Sequence, residues 1–410
     1  MKTQRAYPAL TVTRKAQAAL EAGHPWVYDA EVKTPSDGVE NGTLVDVLSE
    51  KGAYLGTGLL SQTSKIRIRL LSRNANDVFD EKWLERRVRW AWEYRKAVLA
   101  PEDLSACRVI FGEADGFPGL TVDRYSELLV TQTLSVGMEG MKEKLFPILH
   151  KVLTEDGQKI SGIYERNDVP IRALEGLAQG KGWFPLEGVP TPGSCITTIV
   201  ENGISYEVDV ENGQKTGFFL DQKRNRLAVA ALAKDKTVLD CFTHTGSFAL
   251  NAARGGAKKV CAVDVSESAV SMARRNAERN GLADRMEFMT ANVLDLLPQM
   301  LQKGGSPYDF IILDPPAFTK SRKAVAGAQR GYKEINCTAM KLLPRGGYLA
   351  TCSCSHFMTD ALFRKMLVSA AQDANVSLRQ VEARQQAPDH PILWNVPETD
   401  YLKFYLFQVV

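Results

Sequence analysis

The sequence lacks the features of several protein classes. No apolar run among its 410 residues is long enough to span a bilayer. Residues 1–10 lack the apolar core of a signal peptide, so we expect a cytoplasmic protein without a membrane partner. The net charge of only +3 is compatible with a nucleic-acid partner but does not indicate one. The composition, 44% hydrophobic and 24% charged, is globular, and the length predicts two or three domains.

Cysteine and histidine are also scarce. The seven cysteines are odd in number and scattered, which is not the pattern of a secreted disulfide framework. Only Cys352 and Cys354 lie close together, and C-x-C without a second cluster is a poor zinc signature. None of the five histidines stands at metal-ligand spacing. We therefore expect reduced thiols and no structural metal.

Residues 1–75 have the pattern of a small β-rich module with turns rich in glycine and asparagine. The predicted strands are Asp29–Lys33, Leu44–Leu48, Tyr54–Leu60 and Ile66–Leu71. At the last strand Lys65, Arg67 and Arg69 alternate with aliphatic residues and therefore share one face. That face is either simply solvated or lies against an RNA backbone, and the pattern favours neither interpretation.

Residues 76–190 form a second predicted domain, of the α+β class. The pattern is helical from Asp80 to Val98 and then indicates strands. These strands are Cys107–Phe111, Leu120–Arg124, Glu127–Gln132 and Gly162–Asn167. The turn-forming run Gly112–Gly119 predicts a tight hairpin between the first two. The stretch Gly180–Gly193, rich in proline and glycine, is the predicted boundary to the last domain.

Residues 191–410 alternate apolar strands with amphipathic helices. The predicted strands are Thr237–Cys241, Lys259–Val265, Arg285–Thr290, Phe310–Asp314 and Tyr348–Ser353. This order predicts an α/β domain with a mainly parallel sheet and helices on both faces. In such sheets ligands bind at the carboxyl ends of the strands.

The first of these strands runs into the turn Asp240–Ser247 and then into a helix predicted over Phe248–Arg254. Gly246 permits close approach of a ligand to the N–H groups at the helix start. A single glycine, in place of G-x-G-x-x-G, argues for a small zwitterion whose ammonium pairs with Asp240. Asp264 ends the next strand about twenty residues later, where a carboxylate can bind both hydroxyls of a ribose. The alternatives are a dinucleotide-binding domain or a catalytically idle one.

Two further segments add cofactor candidates. Asn292 follows the third strand, where an acid usually lies near adenine, and Asp295 is the other candidate there. The segment Asn212–Arg224 can lay an aromatic wall over a ligand, although ordinary loop packing would give the same pattern. The predicted cofactor-binding residues are Phe219, Asp221, Gln222, Arg224, Asp240, Thr243, Gly246, Ser247, Asp264, Ser266, Asn292, Asp314 and Pro315.

The strand that ends at Asp314 has a D-P-P-x-F exit. Its two prolines stiffen the loop that holds Asp314 at the cleft, and Phe318 can stack on a flipped base. The motif indicates methyl transfer to nucleic-acid bases or related planar amines. A merely structural turn is the alternative.

Two thiols, Cys352 and Cys354, end the next apolar strand. Carbon 5 of cytosine is too poor a nucleophile to attack a methyl sulfonium, but a thiolate that adds to carbon 6 makes an enamine that can. Buried strand cysteines are the alternative. We predict that Cys354 and Asp314 are catalytic and that Cys352 is a spectator on the same strand face.

A basic segment lies between these motifs. It either holds a phosphodiester backbone or is a solvated helix start. The predicted RNA-contacting residues, including the cationic strand face, are Pro316, Phe318, Lys320, Arg322, Lys323, Arg330, Tyr332, Lys65, Arg67 and Arg69.

Taken together, these motifs make the chain similar to the bacterial 23S rRNA cytosine-5 methyltransferases of the large-subunit methyltransferase I type. The matching motifs, which span nearly the whole chain, are NGQKTGFFLDQKRNR (Asn212–Arg226), DCFTHTGSF (Asp240–Phe248), DPPAF (Asp314–Phe318), RGYKEIN (Arg330–Asn336), SCS (Ser353–Ser355), Gln386–Pro391 and Tyr401–Lys403.

The resemblance implies an N-terminal PUA β-barrel, a central α+β domain and a Rossmann-like class I methyltransferase domain that uses S-adenosylmethionine. It also implies Cys354 as nucleophile and a homodimer. The predicted function is formation of 5-methylcytosine in 23S rRNA. The alternatives are an RNA guanine or adenine N-methyltransferase and a non-catalytic RNA-binding assembly factor.

Overall fold

A computed structural model describes residues 6–36, 38–319 and 324–410. The chain divides into two compact units. The N-terminal unit comprises Met1–Ile199, Val208–Leu220 and Pro388–Thr399, and the C-terminal unit comprises Val200–Glu207, Asp221–Ala387 and Asp400–Val410. Within the described ranges, no helix has both the length and the apolarity needed to cross a bilayer.

The N-terminal unit begins with a five-stranded sheet of order β1-β3-β4-β5-β2, beside which lies α1. The bounds are β1 Ala9–Thr11, α1 Arg14–Glu21, β2 Trp26–Tyr28, β3 Leu44–Leu48, β4 Tyr54–Leu60 and β5 Ile66–Ser72. The strand predicted at Asp29–Lys33 is wrong, because the strand ends at Tyr28 and Asp29–Glu31 is a 3-10 turn. The Tyr28 amide donates to Oε2 of Glu31, a local bond that competes with strand pairing.

The rest of this unit is a second five-stranded sheet, of order β10-β9-β8-β7-β6, with two long helices. The bounds are α2 Glu81–Val98, β6 Ala106–Phe111, β7 Leu120–Tyr125, β8 Leu128–Thr133, α3 Val136–Glu155, β9 Gly162–Arg166 and β10 Lys181–Phe184. Asp80 caps α2 by accepting from the Trp83 amide. The predicted hairpin is confirmed, since β6 and β7 pair antiparallel.

The C-terminal unit is built on a seven-stranded sheet of order β15-β14-β13-β16-β17-β19-β18. Its elements are α4 Lys223–Leu232, β13 Thr237–Cys241, α5 Ser247–Arg254, β14 Lys259–Asp264, α6 Glu267–Arg279, β15 Met286–Thr290, α7 Val293–Gln302, β16 Phe310–Leu313, α8 Val325–Leu342, β17 Tyr348–Ser353, α9 Asp360–Asp373, β18 Leu378–Arg384 and β19 Lys403–Val409. Strands β13 to β17 are parallel, as predicted, and β19 is antiparallel to both of its neighbours. The hairpin of β11 (Ile196–Glu201) and β12 (Ile204–Asp209) contains two of the five points where the chain passes between the units.

This strand order places the candidate site. β13 lies between β14 and β16, so the chain order reverses beside β13. A cleft opens at such a reversal, at the carboxyl ends of the strands. β17 follows β16 in the sheet, so Asp240, Asp314 and Cys354 belong to the exits of three consecutive strands.

Candidate active site

The turn after β13 has a backbone that few residues adopt. Gly246 has a φ of 85°, and a Cβ there would lie 2.9 Å from the Cβ of Ala273 on α6. Phe242 and His244 also have positive φ angles, of 64° and 51°, although neither is a glycine. Left-handed backbone at such residues costs on the order of 1–3 kcal/mol each and clusters at ligand sites. The strained backbone of this turn therefore indicates a ligand-binding site rather than a stabilising element.

Asp240 is fully buried at the base of this turn. Its Oδ2 accepts from the Thr243 hydroxyl at 2.5 Å and from the Ala249 amide at 2.9 Å. Its Oδ1 is buried and has no hydrogen-bond partner among the residues that the structure describes. Burial raises the pKa of Asp240 to about 7. A buried carboxylate oxygen without a partner fits a ligand that brings a positive charge.

Asp264 is held at the exit of β14 by two backbone amides. Its Oδ2 accepts from His244 and its Oδ1 accepts from Ser266, each at 2.9 Å. Ser266 also caps α6 through the Ala269 amide. Burial lowers the pKa of His244 to about 4, so its ring is neutral at physiological pH. The predicted residues Thr243, Gly246, Ser247, Asp264 and Ser266 all belong to this one constellation.

Asn292 and Asp295 are neighbours at the exit of β15 and are not independent alternatives. Asn292 caps α7 through the Leu294 amide, and its Nδ2 donates to Oδ2 of Asp295 at 2.8 Å. Both side chains are exposed. Sequence reasoning missed Val265, an aliphatic residue that directly follows Asp264 and is 72% exposed. An apolar residue immediately after a strand-terminal acid was the available signal.

Asp314 stands at the exit of β16, beside β13. Gln222 Nε2 donates to its Oδ1 at 3.1 Å, and Asn225 orients Gln222 by donating to its Oε1 at 2.6 Å. Burial of the carboxyl group raises the pKa of Asp314 to about 6, and nearby Asp221 adds to this effect. Asp221 itself accepts a 2.6 Å bond from the Tyr401 hydroxyl. The predicted Asp221 and Gln222 thus lie beside Asp314, whereas Arg224 is exposed.

Cys352 and Cys354 have different environments. Cys352 is fully buried in β17, near enough to Asp314 and Gln222 for both to act on the pKa of its thiol. Burial raises the pKa of its thiol well above the ordinary range. Cys354 is half-buried in the loop that follows Ser353, the last residue of the strand. Cys354 therefore lies outside the strand, so the two thiols do not share one straight strand face as predicted, and the spectator role of Cys352 stays a prediction.

Two residues fix the loop around Cys354. The Tyr332 hydroxyl bonds the hydroxyls of Ser353 at 3.1 Å and of Ser355 at 3.0 Å. Lys403 Nζ donates to the carbonyl oxygens of Ser355 and Tyr401, at 2.8 Å each. Burial lowers the pKa of Lys403 to about 8, and Cys354 is near enough to act on it electrostatically.

The predicted RNA contact at Tyr332 is wrong, because the side chain is fully buried and positions the Cys354 loop. Of the D-P-P-x-F exit, Pro315 is buried, Pro316 is exposed and Phe318 packs on Tyr332 with ring centres 4.6 Å apart. Arg330 is exposed on α8. The predicted contacts Lys320, Arg322 and Lys323 lie outside the described residues.

The remaining predicted residues belong to the N-terminal unit. Phe219 is half-buried, with the Lys215 ammonium 4.9 Å from its ring centre. The cationic strand face is not the open surface that the alternation predicts. Arg69 is buried and pairs with Glu175 at 2.8 Å, and Arg67 pairs with Asp29, which leaves Lys65 exposed. Arg69 as an RNA contact is therefore wrong, since a buried acid already binds its guanidinium.

Comparison with known families matches both parts of the chain. Residues 186–408 match the S-adenosylmethionine-dependent methyltransferase family, and residues 10–73 match a PUA-like domain. Solved structures with the same fold include a candidate S-adenosylmethionine-dependent methyltransferase from Streptococcus mutans (TM-score 0.81, 23% identity, 98% of this chain and 100% of that one). Another is a candidate methyltransferase in complex with SAH (TM-score 0.82, 22% identity, with the same coverage). The predicted α/β methyltransferase fold with an N-terminal PUA-like domain is confirmed.

Curated relatives extend over the full length. Ribosomal RNA large subunit methyltransferase I from Klebsiella pneumoniae (strain 342) is 36% identical and covers 100% of both chains. The proteins of that name from Aliivibrio fischeri (strain MJ11) and Aeromonas salmonicida (strain A449) are 39% and 40% identical. They cover 96% and 94% of this chain, and 97% and 96% of their own lengths. The chain therefore belongs to the S-adenosylmethionine-dependent ribosomal RNA large subunit methyltransferase family.

Proposed function

We propose that this protein forms 5-methylcytosine in large-subunit ribosomal RNA through a covalent intermediate on Cys354. The observation that carries the proposal is the order of the strand exits. Asp240 is the penultimate residue of β13, Asp314 follows β16, and Cys354 follows β17, and these strands are neighbours in this order. A methyl-donor site, a carboxyl group and a thiol are thus arranged along one edge of the sheet.

The residues of the β13 and β14 exits fit the cofactor. Asp240 Oδ1 is the buried oxygen that an ammonium can satisfy, and Asp264 is held at the exit where a ribose is bound in such folds. Val265 offers an exposed apolar surface to the adenine, and Asn292 a polar edge. When bound, S-adenosylmethionine supplies an electrophilic methyl group.

The thiolate of Cys354 adds to carbon 6 of cytosine, and a proton from Asp314 goes to ring nitrogen 3, which makes carbon 5 nucleophilic. A carboxyl group whose pKa is raised to about 6 by burial retains a protonated fraction near neutrality. After carbon 5 has been methylated, its proton leaves to solvent. The carbon 5–carbon 6 double bond re-forms, the thiolate is expelled, and nitrogen 3 returns its proton to Asp314.

Lys403 and Tyr332 act on Cys354 as positioning residues. The ammonium of Lys403 favours the thiolate form by its charge, and Tyr332 fixes both serines that flank the cysteine. Cys352 differs from Cys354 in its environment, since its thiol is fully buried and close to the Asp314 carboxyl group. This division of roles supports a covalent mechanism over methylation of a ring or exocyclic nitrogen, which needs no thiol.

The test uses ribosomal RNA from a strain that lacks the protein. We expect the wild-type protein to produce 5-methylcytidine, and Cys354→Ala to lose turnover while it still binds S-adenosylmethionine. Cys337→Ala, a change of a half-exposed cysteine on α8, is the matched control and should remain active. Full activity of Cys354→Ala, or a methyl group on a nitrogen of guanine or adenine, would contradict the proposal.

A further inference from the structure

The N-terminal unit contains a groove of about 660 Å³ that the proposed chemistry does not use. Five segments line it: the turn Gly23–Pro25, the end of β5, helix α2, the segment Glu113–Gly116 and the loop Pro391–Val396. We name it the α2 groove. All of its lining residues belong to the N-terminal unit.

Exposed aromatic side chains gather at the α2 groove. Trp90 and Tyr94 line it and are 57% and 37% exposed, and Trp394, next to the lining residue Leu393, is 98% exposed. Tyr28 is 40% exposed and lies near the α2 groove. Its ring contacts Trp26 edge to face, and Trp26 in turn contacts the lining residue His24 edge to face. An exposed indole in the wall of a groove, with a second one on the adjoining loop, is a feature of binding surfaces.

The loop that presents Trp394 is anchored. Asn395 Nδ2 donates to the Gly23 carbonyl at 2.5 Å, and the Val396 amide donates to the Leu393 carbonyl at 2.9 Å. His24 bonds Glu398 at 3.2 Å, just beyond the loop. Trp394 is therefore almost wholly exposed although the loop that carries it is anchored by hydrogen bonds.

Guanidinium groups lie among these aromatic rings. Arg87 lies 4.9 Å from the ring centre of Trp83 and 5.5 Å from that of Trp90, and Arg86 lies 5.6 Å from Trp90. Arg73 is exposed at the rim.

The two lining acids are already engaged. Asp115 receives two bonds from the buried Arg95, at 2.5 and 2.7 Å, and Glu113 accepts from the Trp26 indole at 3.0 Å. The buried guanidinium of Arg95 offsets the charge of Asp115, whereas Glu113 keeps its negative charge, so the two lining cations, Arg73 and Arg87, exceed the uncompensated lining acids by one. This balance favours an anionic partner.

We propose that the α2 groove binds an unpaired stretch of the RNA substrate, with bases stacked on Trp90 and Trp394 and phosphates against Arg73 and Arg87. Alternating aromatic rings and cations are the chemistry that binds single strands without strict sequence preference. The proposal rests on the proposed function only in taking RNA as the partner. It adds a binding subsite in the N-terminal unit, whereas Asp240 and Asp264 belong to the C-terminal unit.

The test measures binding of the full-length protein to a fluorescent single-stranded 12-nucleotide RNA by anisotropy. Trp90→Ala should weaken binding about 5- to 160-fold, since that is the effect of losing one stacked base, and Trp90→Phe should restore most of it. Leu174→Ala, which truncates a 65% exposed side chain elsewhere in the unit, is the matched control and should bind normally.

A second pair of variants tests the proposed contact between arginine and phosphate. Arg73→Gln should reduce the slope of log affinity against log salt by about one. Arg14→Gln, at an arginine whose side chain is 84% exposed on α1, should leave that slope unchanged. A duplex RNA of the same sequence should compete poorly with the single strand.

Wild-type RNA affinity in Trp90→Ala would overturn the proposal, and so would an equal loss in Leu174→Ala. A change of oligomeric state in Trp394→Ala with unaltered RNA affinity would also overturn it, because the groove would then join two copies. The methylated nucleoside is identified separately in each variant. An error about the reaction is thereby distinguished from an error about the groove.

Discussion

Replacing Asp240 by asparagine should stabilise the ligand-free protein while it weakens cofactor binding. Burial raises the pKa of Asp240 from its ordinary value of 3.8 to about 7. One pKa unit corresponds to about 1.4 kcal/mol, so ionising this carboxyl group costs about 4 kcal/mol more in the folded protein than in the unfolded chain. An acid with a raised folded pKa favours folding fully below its unfolded pKa, near 4, and this contribution is lost as the pH rises through 7.

Asparagine fits the site well. Its oxygen can still accept from Thr243 and Ala249, and its amide nitrogen takes the place of Oδ1. At pH 8 we expect the free energy of unfolding to rise by up to about 4 kcal/mol, and the gain to vanish near pH 4. Denaturant titrations at both pH values measure this difference. Asp284→Asn, at an exposed acid, is the control and should change stability at neither pH.

The same variant tests the role of Asp240 toward the cofactor. If its carboxylate pairs with the ammonium of S-adenosylmethionine, calorimetric titration at pH 8 should show at least about tenfold weaker binding in Asp240→Asn. The wild-type affinity should fall as the pH drops below 7, and that of the variant should not. Unchanged affinity in the variant, or a stability gain as large at pH 4 as at pH 8, would refute the reasoning.

Three further substitutions test the site. Lys403→Met should lower the methylation rate about tenfold at pH 7. The wild-type rate should fall above pH 8, where the lysine loses its charge, and this fall should be absent from the variant. The pH–rate profiles of both proteins measure the two effects. Tyr332→Phe should cost about 1–2 kcal/mol of stability and lower kcat without changing cofactor affinity, as unfolding curves and steady-state kinetics can show. Gly246→Ala should weaken cofactor binding in calorimetry because of its crowded Cβ, whereas Gly256→Ala, strained but 3.6 Å from its nearest neighbour, should not.

The alternation of strands and helices in residues 191–410 was enough to predict the parallel sheet and the strand exits that carry Asp240, Asp264 and Asp314. These predictions depend on local pattern, since buried parallel strands are apolar runs and acids at their ends stand out. The D-P-P-x-F and S-C-S motifs predicted the chemistry that we propose in the same way.

The sequence pattern could not predict contacts between segments that are distant along the chain. Arg69 alternates like a surface cation, but Glu175, far along the chain, pairs with it. Tyr332 is in a helix whose pattern does not show that its hydroxyl reaches the serines beside Cys354. Lys403 meets that loop only because β19 pairs antiparallel with β17. Each of these depends on tertiary packing, which one-dimensional periodicity does not encode.

The most direct test of the covalent mechanism is trapping with RNA in which the target cytosine carries fluorine at carbon 5. Release of the cysteine requires the atom on carbon 5 to leave without its bonding electrons. Hydrogen can leave in this way as a proton, but fluorine cannot, so the thioether to carbon 6 should persist after methylation. In the presence of S-adenosylmethionine we predict a protein–RNA adduct for the wild type and for Cys337→Ala, and none for Cys354→Ala, with peptide mass mapping that places the RNA on Cys354. An adduct that survives in Cys354→Ala, or no adduct in the active wild-type protein, would contradict the mechanism.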